Sequence, residues 1–430
     1  MKTTKPFYGW VLLLVLMYIF FAGMALPYFG AGVVSSLMAS ELHIDRAQVG
    51  LAFAAMVLFC GIPGPFVAWS MVRFGARRTM TVGITLVTVG FFLMSRAVST
   101  GWMFILVFGM FVGTGSALGT TNPGQATVTQ WFSRRRALAI SLLWLSIGGG
   151  GALAAPILNH IVLAYGWRAG WFTMGVCSFI AIFASALLVR NRPADIGQEP
   201  DGKRSEPRGS ESGRFAIWKS DAKWSIPDAL HTRAFWSILV GYVVSNAPFG
   251  IMFAHLTAHI RDLGFSSSVA AAALSVLGIG QAIGKLSVGM TGDRIEPRYL
   301  WGGSMLLIAG ALMLALIAKS LGLVYLFAAL LGAGQGAALV AMPTMIGNYF
   351  GADSFSKIIG FQMPIVSVLI SFGPWLAGRN YDATGNYDLT FLALGGLLIF
   401  GALTVFLMTP PVMNDRTTPL SDIGHSHEVP

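Results

Sequence analysis

The chain has 430 residues, 55% of them hydrophobic and only 11% charged, with a mean hydropathy of +0.69. A soluble domain carries roughly 25% charged residues, so most of this surface must be solvated by lipid, which sets soluble enzymes and binding modules aside. The formal net charge of +10 does not point to nucleic acid, because the basic residues sit in short segments between apolar runs, where they orient a membrane protein.

A helix needs roughly 20 apolar residues to cross a bilayer. Runs of that kind lie at about 9–38, 47–72, 78–97, 101–131, 136–164 and 167–190, then at 233–261, 267–291, 299–319, 321–349, 355–379 and 388–409. They predict an all-α integral membrane protein with twelve transmembrane helices in two sets of six. The first run is too long for a signal peptide and lacks a small-residue cleavage site, so it reads as a retained helix. Residues 191–231 are rich in Pro, Gly, Ser and charge and form a linker. Its second half interleaves Phe215, Trp218 and Trp224 with Arg214, Lys219 and Lys223, as in an amphipathic segment lying on the membrane surface; the plainer alternative is a partly disordered connector with a few anchoring aromatics. The predicted organisation is 1–190, an N-terminal bundle; 191–231, the linker; 232–410, a C-terminal bundle; and 411–430, a polar tail in which His425 and His427 read as solvated. Cys60 and Cys177 lie inside apolar runs and suggest neither a disulfide framework nor a metal site, and nothing calls for a cofactor.

Orientation follows from the basic residues. With both termini on the cytoplasmic side, inner segments hold 21 Lys and Arg and outer loops hold 6, which fits the positive-inside rule and an even helix count. The halves also repeat: Leu42–Ala54 corresponds to Leu263–Ser275 and Arg73 to Arg294 at an offset of 221, and Trp131-Phe132 corresponds to Tyr349-Phe350 at 218.

The remaining basic residue is Lys285, in the middle of the Gly- and Ala-rich run from Val269 to Arg298. A charge at bilayer depth costs at least a few kcal/mol and normally faces a cavity that serves a ligand or ion path. Its central position argues against the plainer reading, a lysine that snorkels to one end. Gln281 lies one turn away on the same helical face, which Gly278 and Gly289 extend without bulk. No Asp or Glu falls in the interior of any apolar run, Asp388 only opening the last one, so proton coupling would have to use His255 or Lys285 itself. Imidazole titrates near neutrality, and a proton on Lys285 and a bound anion would favour one another. Anion exchange or uniport, with Lys285 always charged, is the other possibility.

Several motifs carry a family resemblance. FYGWVLLL, GPFVAWSMVRFGARR, WFSRRRALAIS, GWR, ALHTRAFW, AHLTAHIRDLGFS, GKLSVGMTGDR and YFGADSFSKIIG followed by GPWLAGRNYDATGNY together resemble the major facilitator superfamily. Within it they are most similar to the bacterial monocarboxylate-porter and oxalate/formate-antiporter branch. The resemblance implies two six-helix bundles related as parallel repeats, with a substrate site near the midplane between them. It also implies a monomer of the bacterial inner membrane that carries a small organic anion, a monocarboxylate, by alternating access, with a proton or a counter-anion as partner. Lys285 stands where the branch commonly has a substrate-pairing Arg, and Gln281 where porters often have Asp. Lysine offers a point charge without a bidentate fork, so a broader or different anion preference is expected.

The gating motif after the second helix keeps Arg73, Gly75 and Arg77 but has Val72 where the family usually has Asp; the second-half counterpart keeps Gly289, Asp293 and Arg294. An Asp-based lock is thus expected only in the C-terminal half. Drug antiporters typically show an Arg in the fourth helix and a Gly-Pro pair in the fifth. There is no Arg between Gly101 and Trp131, and Gly148–Gly151 is followed by Ala152, which disfavours drug export.

Further candidates for the substrate cavity are Tyr28, Asn122, Asn246, Gln335 and Gln362, with Gln125 and His259 beside them; for each, a hydrogen bond between helices or plain packing is the competing reading. Gly113, Gly115, Gly119 and Gly332, Gly334, Gly336 read as sites of close helix approach. A transporter of another small solute (drug, sugar or neutral metabolite) and a non-transporting sensor on the same fold are the alternatives. The polar tail is too short for a signalling domain, and no clustered metal or nucleophile set supports a membrane enzyme.

Overall fold

A computed structural model of the chain describes residues 6–44, 46–202, 217–220 and 222–412. No strand occurs among them, as expected where lipid leaves every backbone polar group to be satisfied within its own helix. The long helices are α1 (Gly9–Glu41), α2 (Arg46–Gly61), α3 (Gly64–Arg96), α4 (Gly101–Trp131), α5 (Arg136–Tyr165), α6 (Trp167–Leu188), α7 (Arg233–Asp262), α8 (Ser267–Thr291), α9 (Pro297–Leu316), α10 (Leu321–Tyr349), α11 (Ala352–Thr384) and α12 (Asp388–Phe406). Among the described residues, ten helices are long and apolar enough to cross a membrane.

Local chemistry sets the helix starts. Thr100, Thr232, Ser266 and Ser320 stand in extended conformation just before α4, α7, α8 and α10, and each accepts a hydrogen bond from a first-turn backbone N–H. The two runs expected at 47–72 and 78–97 are divided differently. The helix that begins at Arg46 breaks at Ile62-Pro63, and α3 then continues through to Arg96 with one non-helical residue, Gly75. Gly75 has a φ of +81°, a conformation that L side chains rarely adopt, and it is covered by the Asn191 side chain, which also accepts from the Arg77 N–H at 2.9 Å.

Residues Phe21–Gly30 of α1, around Pro27 and Tyr28, are π-helical, as are two stretches of α4 just before Asn122. Such irregular turns often mark functional positions. One continuous apolar cluster reaches from Leu12 in α1 through Ile140 in α5 to Leu277 in α8 and Leu398 in α12. Packing geometry repeats along the chain: a Cβ on Gly115 would press on Gly83 and Val87 of α3, and one on Gly334 would press on Ser304 and Ile308 of α9.

The linker departs from both expectations in one respect. Trp224 is 3% exposed, edge-on to Phe350 at 5.4 Å, and so is embedded in protein, whereas Trp218 remains exposed. Arg214, Phe215, His425 and His427 lie outside the described residues.

Candidate functional site

α5 and α8 belong to opposite halves of the chain and converge at the end that bears the linker. A Cβ on Gly292 would stand 2.8 Å from the Ala137 Cβ, and one on Gly289 would collide with the Ser141 hydroxyl. Further along, the helices part. Among the described residues, a Cβ on Gly148 would meet only the Lys285 Nζ, at 4.0 Å, and one on Gly278 would meet nothing within 4 Å. The result is a cleft, closed at the linker end, with Lys285 at its floor.

Lys285 is 5% exposed, yet no side chain or carbonyl among the described residues pairs with its ammonium. Burying an unpaired cation is expensive, so the cleft is suited to bring it an anion. One turn away Gln281 donates to Gln335 Oε1 at 3.1 Å, while the Gln335 Nε2 is enclosed without a partner among the described residues. This face is fixed by very close packing of α8 on α10. A Cβ on Gly280, Gly284, Gly332 or Gly336 would land on the carbonyl of Ala329, Ala333, Leu277 or Gln281 respectively.

The other candidates lie apart from this face. His255 uses both ring nitrogens: Nε2 faces the Pro374 carbonyl at 3.0 Å and Nδ1 faces the Tyr387 hydroxyl at 3.1 Å. Since a carbonyl only accepts, Nε2 carries the proton and Tyr387 donates to Nδ1. His259 is buried, edge-on to Phe391 at 4.9 Å. Asn122 is buried and donates across the seam between halves to the Ser356 carbonyl at 3.2 Å. Gln125 is also buried, with its Oε1 unpartnered. Asn246 bonds to the Tyr242 carbonyl in its own helix at 2.9 Å, and Gln362 is fully buried against the Phe235 carbonyl at 3.3 Å. Tyr28 is half-buried and lies within electrostatic reach of Cys60 and Tyr242. Among the described residues no group of His, Cys, Asp or Glu is arranged to hold a metal.

The closed end is held by contacts between the two halves. Asp293 accepts from the Ala137 N–H at 2.9 Å and the Leu138 N–H at 3.3 Å, so a carboxylate of the C-terminal half caps the first turn of a helix in the N-terminal half. Burial raises its carboxyl above the ordinary value, against the opposing pull of those two N–H groups and of the Lys219 and Arg136 charges. Arg136, itself buried, donates to Asn348 Oδ1 across the same seam at 2.6 Å. The corresponding place in the first half has no acid: Val72 is 64% exposed, and Arg73, Arg77 and Arg294 are exposed as well. The α11 start carries its own Asp353, with Arg192 and Lys223 each 3.9 Å away.

Asp293→Ala is expected to cost the closed end about 0.5–2 kcal/mol, the worth of a helix cap. The check is labelling of Leu145→Cys, between the gate and Lys285 on the same face of α5, by an impermeant maleimide supplied from the linker end. Faster labelling in the Asp293→Ala background is the expected result.

Sequence reasoning missed Ser141 and Asn348, which are ordinary polar residues until the halves meet, and read Lys219 only as part of a surface segment, whereas it donates to the Ser133 carbonyl. It named Gly148 only for the absent proline. The Gly280-x-x-x-Gly284 and Gly332-x-x-x-Gly336 spacings were readable as a close-packing signal.

Comparison with known proteins bears on this arrangement. Residues 11–279 and 239–426 match the sequence model of the family described as Major Facilitator Superfamily. Monocarboxylate transporter 13 of Bos taurus is 28% identical over 336 residues, covering 77% of this chain and 73% of the relative. The Rattus norvegicus protein of the same name is 26% identical, covering 93% and 89%, and monocarboxylate transporter 2 of Homo sapiens is 24% identical, covering 87% and 79%. In structure the chain is similar to the human organic anion transporter MFSD10 (TETRAN), with a TM-score of 0.67 at 14% identity over 93% of this chain and 100% of that one. It is similar as well to the proton:xylose symporter XylE, with a TM-score of 0.71 at 12% identity over 93% and 95%. These structural likenesses speak to fold alone.

Proposed function

The chain belongs to the major facilitator superfamily, and from that premise we propose that it carries a small organic anion, a monocarboxylate, across a membrane by alternating access, with Lys285 as counter-charge. It is a multi-pass membrane transporter and not an enzyme. The observation that carries the reading is the buried, unpartnered Lys285 ammonium at the floor of a cleft between the halves. The names of the monocarboxylate transporter relatives support the substrate class.

We read twelve crossings. Gly75 divides the long α3, so that α2 with the first part of α3 makes one crossing and the rest of α3 the next, and the 30-residue α5 makes another. They form bundles at 1–190 and 232–410, joined by 191–231 and followed by a tail at 411–430, with both termini cytoplasmic. The state described is then the outward-facing one. A monomer in the bacterial inner membrane is the expected form and place; this rests on the motif resemblance, since the relatives named above are mammalian.

For coupling, Lys285 is the stronger candidate. Both nitrogens of His255 are already engaged, which suits a residue that positions the α7 end against Pro374 and Tyr387. The deciding experiment is uptake by purified protein in liposomes, with a panel of labelled short carboxylates, with and without an inward proton gradient. Accumulation of one carboxylate supports the reading, and gradient dependence separates proton symport from exchange. If no carboxylate moves while a neutral solute does, the anion assignment falls.

Gly148→Leu tests the cleft itself. The new side chain would stand over the Lys285 ammonium. Uptake is expected to fall at least about tenfold, the loss of about 1.4 kcal/mol of anion binding, with the melting temperature unchanged because the Cβ enters open space.

A further inference from the structure

The segment joining the halves divides its attachments between them. Its first part is held by the N-terminal half: Gln198 accepts from the Tyr8 N–H and donates to the Pro6 carbonyl, each at 3.0 Å, and Asp201 Oδ2 accepts from the backbone N–H groups of Ser133 at 2.9 Å and Arg134 at 2.7 Å. Its later part is held by the C-terminal half. The Ser220 N–H donates to the Asn348 carbonyl and the Trp224 N–H to Ser354 Oγ, both at 2.8 Å, and the Trp218 N–H donates to Glu296 Oε2 at 3.2 Å.

Two linker cations depart from this division: Arg192, in the first part, lies 3.9 Å from Asp353 of α11, and Lys219 crosses the other way. From within the later part it reaches back to the N-terminal half, where its Nζ donates to the Ser133 carbonyl at 2.6 Å. Its charge also acts on Asp293. The ammonium therefore stands where the two halves touch, beside the carboxylate that caps α5.

The charged groups around Asp293 show why this matters. Arg136, from α5, is spread over Asn348 Oδ1 at 2.6 Å, the Phe132 carbonyl at 3.3 Å and the Thr129 carbonyl at 3.4 Å. On the turn that carries Asp293, Arg294 is exposed, Glu296 is held by the Tyr349 hydroxyl at 2.9 Å, and Arg298 donates to the Met408 carbonyl at 2.8 Å. We propose that Lys219 is a linker-borne gate residue, which by bonding to Ser133 of one half beside Asp293 of the other adds to Arg136 a second positive charge that helps a buried carboxylate hold the halves together. The linker is then a working part of the gate, and Lys219 a positioning residue that acts through Asp293.

The sign of the pH effect follows from burial. Since burial raises the Asp293 carboxyl, the closed end binds that proton more tightly than an open, hydrated end does. Closure therefore weakens as pH rises past the ordinary carboxylate range. Removing Lys219 raises the carboxyl further, so the loss is largest where Asp293 is charged and shrinks as pH falls.

The test uses the full chain in lipid nanodiscs, with Cys60→Ser and Cys177→Ser, and spin labels on Arg78→Cys and Tyr299→Cys at exposed sites of the two halves. Pulsed dipolar spectroscopy reads the ratio of closed to open distances at pH 5 and pH 7. At pH 7 Lys219→Gln is expected to lower that ratio about tenfold, the effect of one unit of carboxylate stabilisation, and to lower it less at pH 5. Lys219→Arg should restore the parent ratio, and in an Asp293→Asn background Lys219→Gln should do nothing. A ratio unchanged at pH 7, a drop equal at both pH values, or a drop that survives Asp293→Asn overturns the proposal. The readout is a distance, so its failure is distinguishable from failure of the carboxylate reading of the cleft, which uptake decides.

Discussion

Lys285→Ala is expected to abolish carboxylate uptake while leaving the protein at least as stable as the parent. A truncated partner of a buried charge pair typically costs 2–5 kcal/mol of binding, so the apparent affinity should fall by roughly 30- to several thousand-fold. In the ligand-free chain the same change removes a buried ammonium that has no partner among the described residues. Relief of that burial offsets the lost packing of the lysine stem. Loss of uptake together with an unchanged or raised melting temperature is thus the signature of a ligand-binding charge. A structural lysine would show the opposite, with destabilisation and uptake falling together. Lys285→Arg keeps the charge and adds a bidentate fork, so it should retain transport and shift preference among carboxylates. Equal uptake by wild type and the Ala variant, across the panel, would remove Lys285 from the mechanism.

The second large effect is expected at the crossing of α8 and α10. A single methyl group at Gly336 falls on the Gln281 carbonyl, and one at Gly332 falls on the Leu277 carbonyl. Backbone cannot rotate away as a side chain can, so Gly336→Ala should force the helices apart at a cost of about 1–3 kcal/mol. With Gly332→Ala added, little folded protein should survive solubilisation. Gly310→Ala is the control, because a Cβ there meets nothing within 4 Å and should leave the melting curve unchanged. Fluorescence-detected size exclusion after a heating series measures all three. A Gly336→Ala protein as stable as Gly310→Ala would mean that the crossing is looser than described. The site is coupled to this packing, since Gln281 lies one turn from Lys285 and would move with α8.

What was legible beforehand divides along physical lines. Helix character, membrane embedding and the helix starts at Thr100, Thr232, Ser266 and Ser320 come from local chemistry: lipid forces backbone polar groups into helices, and a hydroxyl caps the first turn nearest to it. Lys285 could be singled out for the same reason, because a charge in an apolar run is anomalous wherever the chain folds. The family resemblance pointed to Asp293 as a lock and to Val72 as its missing counterpart; the structure sets Asp293 at the start of α5 and leaves Val72 exposed. The break at Ile62-Pro63 and the passage of α3 through Gly75 were placed differently, because hydropathy cannot tell a kink from a loop when apolar residues continue through both.

The amino-acid sequence by itself determined that this chain is an α-helical membrane protein with a charge inside an apolar run, since both follow from residue chemistry read over one or two turns. The central position expected for Lys285 is corrected by α8, which ends six residues later at Thr291. Only the tertiary structure decided that Lys285 faces the bare Gly148 across a cleft, that His255 is committed at both nitrogens, and that Lys219 reaches Ser133 from the linker. Each of these joins residues from different helices or loops, more than 80 positions apart at Ser133 and Lys219. Such pairings depend on how packed helices meet across the seam, which no local pattern encodes.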